Sequence, residues 1–497
     1  MNDNYLKKQK QEHQENNPDS SNEPSSGTKS YNYLKLLIIF VATCITALLP
    51  YVAPDTFHFT VIQNITMCIF VAAALMWILE PMPVYATSLA IIGSLCLFAS
   101  DGAITPIKNY LKEADGEHLL SYKSVFNSFS SPVIILFLGG FALAIAATKY
   151  KLDINLARVL LKPFGKKPSM VMLGIMCVTG FFAMFMSNTA TTVMMLAMIT
   201  PVLGSVNQSD KGVKALILSV PFAANIGGIA TPVGTPPNAI ALGYLTNEHA
   251  ISFLSWMAFG LPVAITCILF CWVLLKFMFP FKSKEISIKI DSKFNTDWRS
   301  LFVYITFAVT ILLWMTEKLH GINSYIVAIL PLIAYTCTGI IKAADIRTMN
   351  WDVIWLIAGG IAIGNALDKT GLATQLAYMV DYSRFSRIII VGLVGLVGWG
   401  LSNFISNTAA ANLLIPIALA VLTGSGVDTG IKLSGALFFI ALALSFAMTL
   451  PISTPPNALA YATGKISNKD MIKAGGITSV VCFVLTFAAI YFFGDLL

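Results

Sequence analysis

Three short patterns each occur twice in this chain, in the same order, and that repetition limits the fold to two copies of one unit. The run Ser131-Pro-Val-Ile-Ile-Leu-Phe-Leu-Gly-Gly140 returns as Trp351-Asp-Val-Ile-Trp-Leu-Ile-Ala-Gly-Gly360. Met186-Ser-Asn-Thr-Ala-Thr-Thr192 returns as Ile405-Ser-Asn-Thr-Ala-Ala-Ala411, and Gly234-Thr-Pro-Pro-Asn-Ala239 as Ser453-Thr-Pro-Pro-Asn-Ala458. Gly139 precedes Gly359 by 220 residues, while Ser187 and Thr235 precede Ser406 and Thr454 by 219. Repeats of three or four residues arise by chance; three in register across more than 90 residues do not. The chain therefore divides into a polar tail at 1–32, N-terminal scaffold helices at 33–120, a first repeat at 121–280, a connecting loop and helices at 281–340, and a second repeat at 341–497.

The repeated unit belongs in a membrane. Hydrophobic residues make up 56% of the 497 and charged residues 11%, where an average soluble domain carries about 25% charge. Mean hydropathy is +0.74. The cleanest apolar runs are Leu34–Tyr51, Val61–Leu79, Phe253–Met278, Leu301–Met315, Tyr325–Ile341 and Val480–Phe493, long enough in the main to cross a hydrocarbon core of about 30 Å. Counting those interrupted by Gly, Pro or amides, roughly ten to twelve crossings are expected. The fold class is an all-α polytopic membrane protein.

The tail is rich in Asn, Gln, Ser, Lys and Glu, has no apolar face and is expected to be disordered. It lacks the pattern of a cleavable signal peptide, so the first apolar run is read as the insertion signal. The eight Cys lie mostly in apolar runs without CxxC spacing; Cys267 and Cys271 read as small hydrophobes rather than as a metal site. A net charge of +7 suits basic cytoplasmic loops and calls for no nucleic acid. No Walker-type phosphate loop appears, so no domain of the chain itself supplies ATP-driven work.

Charge also orients the halves. Between Thr148 and Pro168, Lys149, Lys151, Arg158, Lys162, Lys166 and Lys167 face one acid, Asp153. The matching stretch Ala366–Ile388 holds Lys369, Arg384 and Arg387 against Asp368 and Asp381. By the positive-inside rule the first is cytoplasmic and the second external, which makes the repeats inverted, as in secondary transporters.

Three adjacent polar residues rarely share one helix face, so Ser187-Asn188-Thr189 and Ser406-Asn407-Thr408 predict broken helices. A half-helix starting there presents free N–H groups, the positive dipole end and the Asn and Thr side chains to one point, a cradle for a small anion. The alternative is that these residues are interhelical glue. Thr235-Pro236-Pro237-Asn238 and Thr454-Pro455-Pro456-Asn457 cannot lie mid-helix, because paired prolines remove two donors and force the preceding Thr extended. The carbonyls this frees, with the hydroxyls, suit a hard cation such as Na+; a simple kink is the other reading. Gly139-Gly140 and Gly359-Gly360 fit either a re-entrant hairpin or a straight helix with a small face. Neither polar motif contains Lys, Arg or His, so an anion would be met by amides, hydroxyls, helix ends and bound cations. These segments hold no acid pair, Ser–His pair or metal cluster, and no enzyme is expected.

At these residues the chain resembles the divalent anion/sodium symporter (DASS) family, the INDY-type carboxylate transporters. The resemblance covers nearly the whole chain after the tail. It implies a plasma-membrane homodimer of eleven-helix protomers, each with a scaffold domain and a transport domain carrying two re-entrant hairpins. It implies an elevator movement of C4 and C5 dicarboxylates such as succinate, malate, fumarate and 2-oxoglutarate. The family's substrate contacts fall on Asn188, Thr189, Asn407 and Thr408, with Thr235, Pro236, Thr454 and Pro455 beside them. Its sodium sites fall on Ser187, Asn188 and Gly234, and on Ser402, Asn407 and Ser453; no other cofactor is implied. Where sodium-coupled members offer a hydroxyl four residues before the first motif, this chain has Ala183, and the second half keeps Ser402. That difference favours dicarboxylate exchange over sodium symport. A carrier of sulfate or another oxyanion and an anion channel are the competing functions.

Overall fold

The computed structural model of the chain describes residues 26–54, 57–115, 119–205, 210–246, 249–286, 295–379, 386–424 and 431–494. Most of the expected disordered tail, with Asp381 and Arg384 of the charge comparison, lies outside these residues. From Ser26 the chain is already helical, so the first helix runs ahead of its apolar core; extending an existing helix by a turn costs little compared with starting one.

Helices are numbered along the chain. Ahead of the repeated patterns come α1 (Ser26–Val52), α2 (Val61–Leu79), α3 (Val84–Phe98), α4 (Thr105–Asp115) and α5 (Tyr122–Phe126). The first half continues with α6 (Pro132–Lys149), α7 (Leu152–Leu161), α8 (Pro168–Ala183) and α9 (Asn188–Ser205). It closes with α10 (Gly212–Gly228), α11 (Pro236–Tyr244) and α12 (Phe253–Met278). Between the halves lie α13 (Trp298–Met315), α14 (Glu317–His320), α15 (Ser324–Cys337) and α16 (Ala343–Arg347). The second half repeats the order as α17 (Trp351–Lys369), α18 (Leu372–Tyr378), α19 (Arg387–Ser402), α20 (Asn407–Gly424), α21 (Leu433–Ser445), α22 (Pro455–Ala462) and α23 (Asn468–Phe493). No strand occurs among the described residues; the one β-type contact is an isolated bridge between Ser100 and Leu120.

The correspondence is detailed. After α6 the chain turns through a left-handed Lys151 (φ 55°), and after α17 through a left-handed Gly371 (φ 70°). α12 and α23 are both 26 residues long, about 39 Å at 1.5 Å per residue. Each opens on a serine, Ser252 or Ser467, whose hydroxyl accepts a backbone N–H three residues on.

Packing fixes the chain direction in each half. α8 and α10 begin at one end, with Lys166 bonded to Ile286 and Gly212 against Phe281, and finish together where Gly227 meets Gly180. They are parallel, so α9 between them must run back, making α8 and α9 a helical hairpin. In the second half Gly395 lies on Phe439, and Asn403 bonds Thr449. α19 and α21 are thus parallel as well, and α19–α20 is the second hairpin. Both hairpins turn at a Ser-Asn-Thr motif. The hairpin reading of the Gly-Gly runs is therefore corrected: each lies inside a continuous helix, α6 or α17. A Cβ on Gly139 would overlap the Ala328 carbonyl of α15, and one on Gly359 would overlap Ser88 of α3. These glycines allow close helix packing rather than a turn.

The long helix α23 shows how the halves are set against each other. Near its start Lys214 of α10 pairs with Asp470 (2.8 Å), and further along Phe222 lies near Gly475. α21 enters from the opposite end, with Gly435 near Gly494 and Met448 at Gly475. α10 and α21 therefore point toward each other, and their C-terminal ends meet near one level of α23.

Among the described residues seven helices are long and apolar enough to cross a membrane by length and composition. Seven shorter apolar helices, of 10–17 residues, include α8 of the first hairpin and both limbs of the second. Buried faces match between α2 and α13: Thr66, Phe70, Ala73 and Trp77 correspond to Val303, Phe307, Thr310 and Trp314 at a constant 237 residues. The repeat thus reaches back beyond the boundaries at 121 and 341. Cys267, Cys271 and Cys482 are buried between α12 and α23, where the Thr478 hydroxyl donates to the Cys271 sulfur (3.8 Å).

Candidate functional site: two hairpin tips against two broken helices

At the first tip α8 ends at Ala183, the chain turns through Met184–Ser187, and α9 starts at Asn188. At the second, α19 ends at Ser402 and α20 starts at Asn407. Ser406 acts as the cap of α20, its hydroxyl accepting the Ala409 N–H (3.2 Å). The Ser-Asn-Thr residues thus form the first turns of two 18-residue helices. Unpaired N–H groups and the positive dipole end point out there. Ser187, Asn188, Thr189, Ser406, Asn407 and Thr408 are all half-buried.

The breaks are equally regular. Thr235 (φ −149°, ψ 145°) and Thr454 (φ −144°, ψ 149°) are extended, as a residue before proline must be. Pro236-Pro237 and Pro455-Pro456 then fill the first turns of α11 and α22, where no N–H is needed. Asn238 Nδ2 donates to the carbonyls of Gly228 (3.1 Å) and Thr231 (2.8 Å). Asn457 Nδ2 donates to the equivalent carbonyls of Ala447 (3.5 Å) and Leu450 (3.0 Å). The Asn of each motif therefore holds its break open in a fixed shape, and two of the expected free carbonyls already accept one bond.

Each tip is fastened to the break of its own half. Thr231 donates its hydroxyl to the Met184 carbonyl, and Ser453 donates its hydroxyl to the Asn403 carbonyl (3.0 Å). At the first, a Cβ on Gly228 would lie 2.8 Å from Asn188 Oδ1 and 3.2 Å from the Gly234 carbonyl oxygen. Asn188 and Gly234 are thus brought together, with Ser187 at the same turn. At the second, Ser453 reaches Asn403, the neighbour of Ser402. The halves also interlock: α9 packs on α22, and α20 on α11. Each Ser-Asn-Thr helix therefore lies against the other half's Thr-Pro-Pro-Asn helix. Thr235 and Thr454 are buried, Pro236 half-buried and Pro455 exposed.

Several buried polar oxygens at this junction have no hydrogen-bond partner, among them Asn188 Oδ1, Asn238 Oδ1, Asn407 Oδ1 and Ser402 Oγ, with Thr191 Oγ1 and Thr192 Oγ1 further along α9. An unmatched buried oxygen costs about 1–3 kcal/mol, and each of these atoms is open to accept a further bond. The helices of the hairpins and breaks carry no Asp, Glu, Lys, Arg or His from 169 to 205, 215 to 246, 388 to 424 and 433 to 464. Among the described residues no cluster of three His, Cys, Asp or Glu could hold a metal.

The tips differ in exposure. Phe185 is 4% exposed and stands edge-on to Phe307 of α13 (centroids 6.1 Å apart). Its counterpart Phe404 is 71% exposed, as is Ile452 beside the second break. A cavity of about 730 Å³ opens at Ser406, lined also by Glu80, Pro81, Met82, Tyr85 and Asp352. Asn225, whose counterpart is Leu444, and Asn403, whose counterpart is Met184, are not duplicated and so leave no signal in the repeat.

The citrate transporter family profile matches residues 74–444 and, separately, 311–496. An uncharacterized transporter of Schizosaccharomyces pombe is 31% identical over 451 residues, 85% of this chain; the chain spans about half of that protein's length (49%). The sodium-dependent dicarboxylate transporter SdcS of Staphylococcus aureus is 28% identical over 454 residues, 84% of this chain and 83% of that protein. Two solved structures share the fold. The Alcanivorax borkumensis YdaH transporter has a TM-score of 0.56 at 13% identity, over 86% of this chain and 98% of its own. Neisseria gonorrhoeae MtrF has a TM-score of 0.52 at 11% identity, over 83% and 95%. These matches bear out the resemblance read from the motifs: the chain is a multi-pass membrane transporter and belongs to the citrate transporter family.

Proposed function

We propose that the chain is a secondary-active carrier of C4 and C5 dicarboxylates in the plasma membrane, working as an elevator in a homodimer. The observation that carries this reading is the interlock of two Ser-Asn-Thr helix starts with two Thr-Pro-Pro-Asn breaks. Two cradles of N–H groups, amides and hydroxyls suit an anion with a carboxylate at each end. Asn188, Thr189, Thr454 and Pro455 form one side, and Asn407, Thr408, Thr235 and Pro236 the other. The long helices supply seven crossings, α3 and α15 two more, and the broken pairs α10–α11 and α21–α22 another two. That makes eleven, with the α8–α9 and α19–α20 hairpins re-entrant.

Ala183, buried where Ser402 stands in the other half, leaves the first cation cage one oxygen short and favours exchange of one dicarboxylate for another. A second reading, sodium symport, is favoured by the unpartnered Ser402 Oγ and Asn407 Oδ1 and by the sodium-dependent relative. Neutral oxygens of this kind suit Na+. Ser402, Asn407 and Ser453 would hold it, and a bound cation would supply positive charge beside the anion. Proteoliposomes loaded with succinate or 2-oxoglutarate are expected to take up labelled succinate. No uptake with either internal dicarboxylate or an inward sodium gradient ends the assignment. Competition by sulfate but not succinate would assign an oxyanion carrier, and flux without counter-substrate stimulation a channel.

A further inference from the structure

Asn225 is buried near the end of α10, and its counterpart in the second half is Leu444. Its Nδ2 donates across the repeat to Thr454 Oγ1 (3.1 Å) and Asn457 Oδ1 (3.2 Å). Thr454 Oγ1 accepts a second bond from the Asn457 N–H (3.3 Å). A hydroxyl oxygen has two lone pairs and one proton. With both lone pairs engaged, Thr454 can only donate, and among the described residues no acceptor is recorded for its proton. Thr235, the matching residue of the first half, accepts no such cap bond, and Leu444 has no donor to offer it.

We infer that Asn225 is a positioning residue that presets the Thr454 hydroxyl as a hydrogen-bond donor to the substrate carboxylate. The inference rests on the dicarboxylate reading above and deepens it. An ionised carboxylate only accepts, so a hydroxyl that can only donate is matched to it before binding and pays no reorientation on contact. A group that itself presents a proton there, such as a protonated acid or an amide, meets a second donor. The half-site at Thr454 thus selects the ionised form, while Thr235 is free to donate or accept. The two halves of the cradle are unequal for a reason that lies in the first half but acts in the second.

Succinate exchange in proteoliposomes tests this, with KM and maximal rate measured for the parent, Asn225→Leu, Asn225→Ala, Thr454→Val, Thr454→Ser and the Asn225→Leu/Thr454→Val double variant. Thermal melting of each purified protein shows that it is folded. Asn225→Leu, Asn225→Ala and Thr454→Val are each expected to raise KM about tenfold, the size of one hydrogen bond to a charged group. Thr454→Ser keeps the parent KM. The double variant is expected to be no worse than Thr454→Val alone, because Asn225 acts through that hydroxyl. Multiplying losses in the double variant, an unchanged KM in Asn225→Leu, or failure of both Asn225 variants to fold would overturn the inference while leaving the cradle standing. A parent KM in Thr454→Val would instead remove the cradle reading, and the inference with it.

Discussion

Asn188 heads α9 with one amide oxygen unmatched and the Gly234 carbonyl close by, and Thr408 lies in the first turn of α20. On the proposed reading, replacing either by Ala removes a contact to the substrate, so transport should fall below detection while melting temperature changes little. Uptake near the parent level in both variants would rule out the cradle. Ala183→Ser restores the hydroxyl that the second half keeps at Ser402. On the proposed reading, that variant gains stimulation of succinate uptake by an inward sodium gradient, measured against potassium. The six motif positions were legible in the sequence because duplication sets them apart from ordinary polar residues in a membrane. Asn225 was not, because Leu444 erases the repeat at that position and a lone buried Asn carries no pattern of its own.

At the level of elements, glycine is the residue that sequence reading places least well. Gly139-Gly140 gave the same signal for a hairpin and for a packed helix. Only the position of Ala328 on a helix far along the chain decides between them. The prediction follows from that contact: Gly139→Val should destabilise the fold by about 3 kcal/mol or more, whereas the same change at Gly400, which faces open space, should be mild. Detergent-solubilised yield and melting temperature distinguish the two. The match between α2 and α13 was also hidden, since a buried face cannot be read from a helix that is apolar all round. The hairpin tips offer another check. In a background without native cysteines and in detergent solution, Phe404→Cys is expected to react readily with a membrane-permeant maleimide and Phe185→Cys slowly, following 71% against 4% exposure. Equal labelling would contradict the packing of Phe185 on Phe307.

At the scale of the whole molecule, polar links tie together segments far apart in the chain. Lys149, at the end of α6, pairs with Asp345 of α16 at 2.5 Å, joining the first half to the chain that enters the second. The hydrogen bond from Lys149 holds the Asp345 carboxyl below the usual carboxylate range. A lowered pKa stabilises the fold above the ordinary carboxyl range, and that contribution is lost as pH falls through the shifted value. The pair is partly exposed, so Asp345→Asn should cost no more than about 1 kcal/mol at pH 7. Its melting temperature should converge with the parent's in acid. A constant gap at every pH would assign the effect to packing instead.

The asparagine bonds also separate by the length of chain they enclose. Asn238 and Asn457 each reach back only 7 and 10 residues, while Asn225 joins residues 229 and 232 positions away. Short loops close early and cheaply, and distant contacts wait for the chain between them. During synthesis the first break can take its shape before any of the second half exists. The amide of Asn225 has no partner until Thr454 and Asn457 emerge, so the seam between the halves is sealed among the last steps of biogenesis.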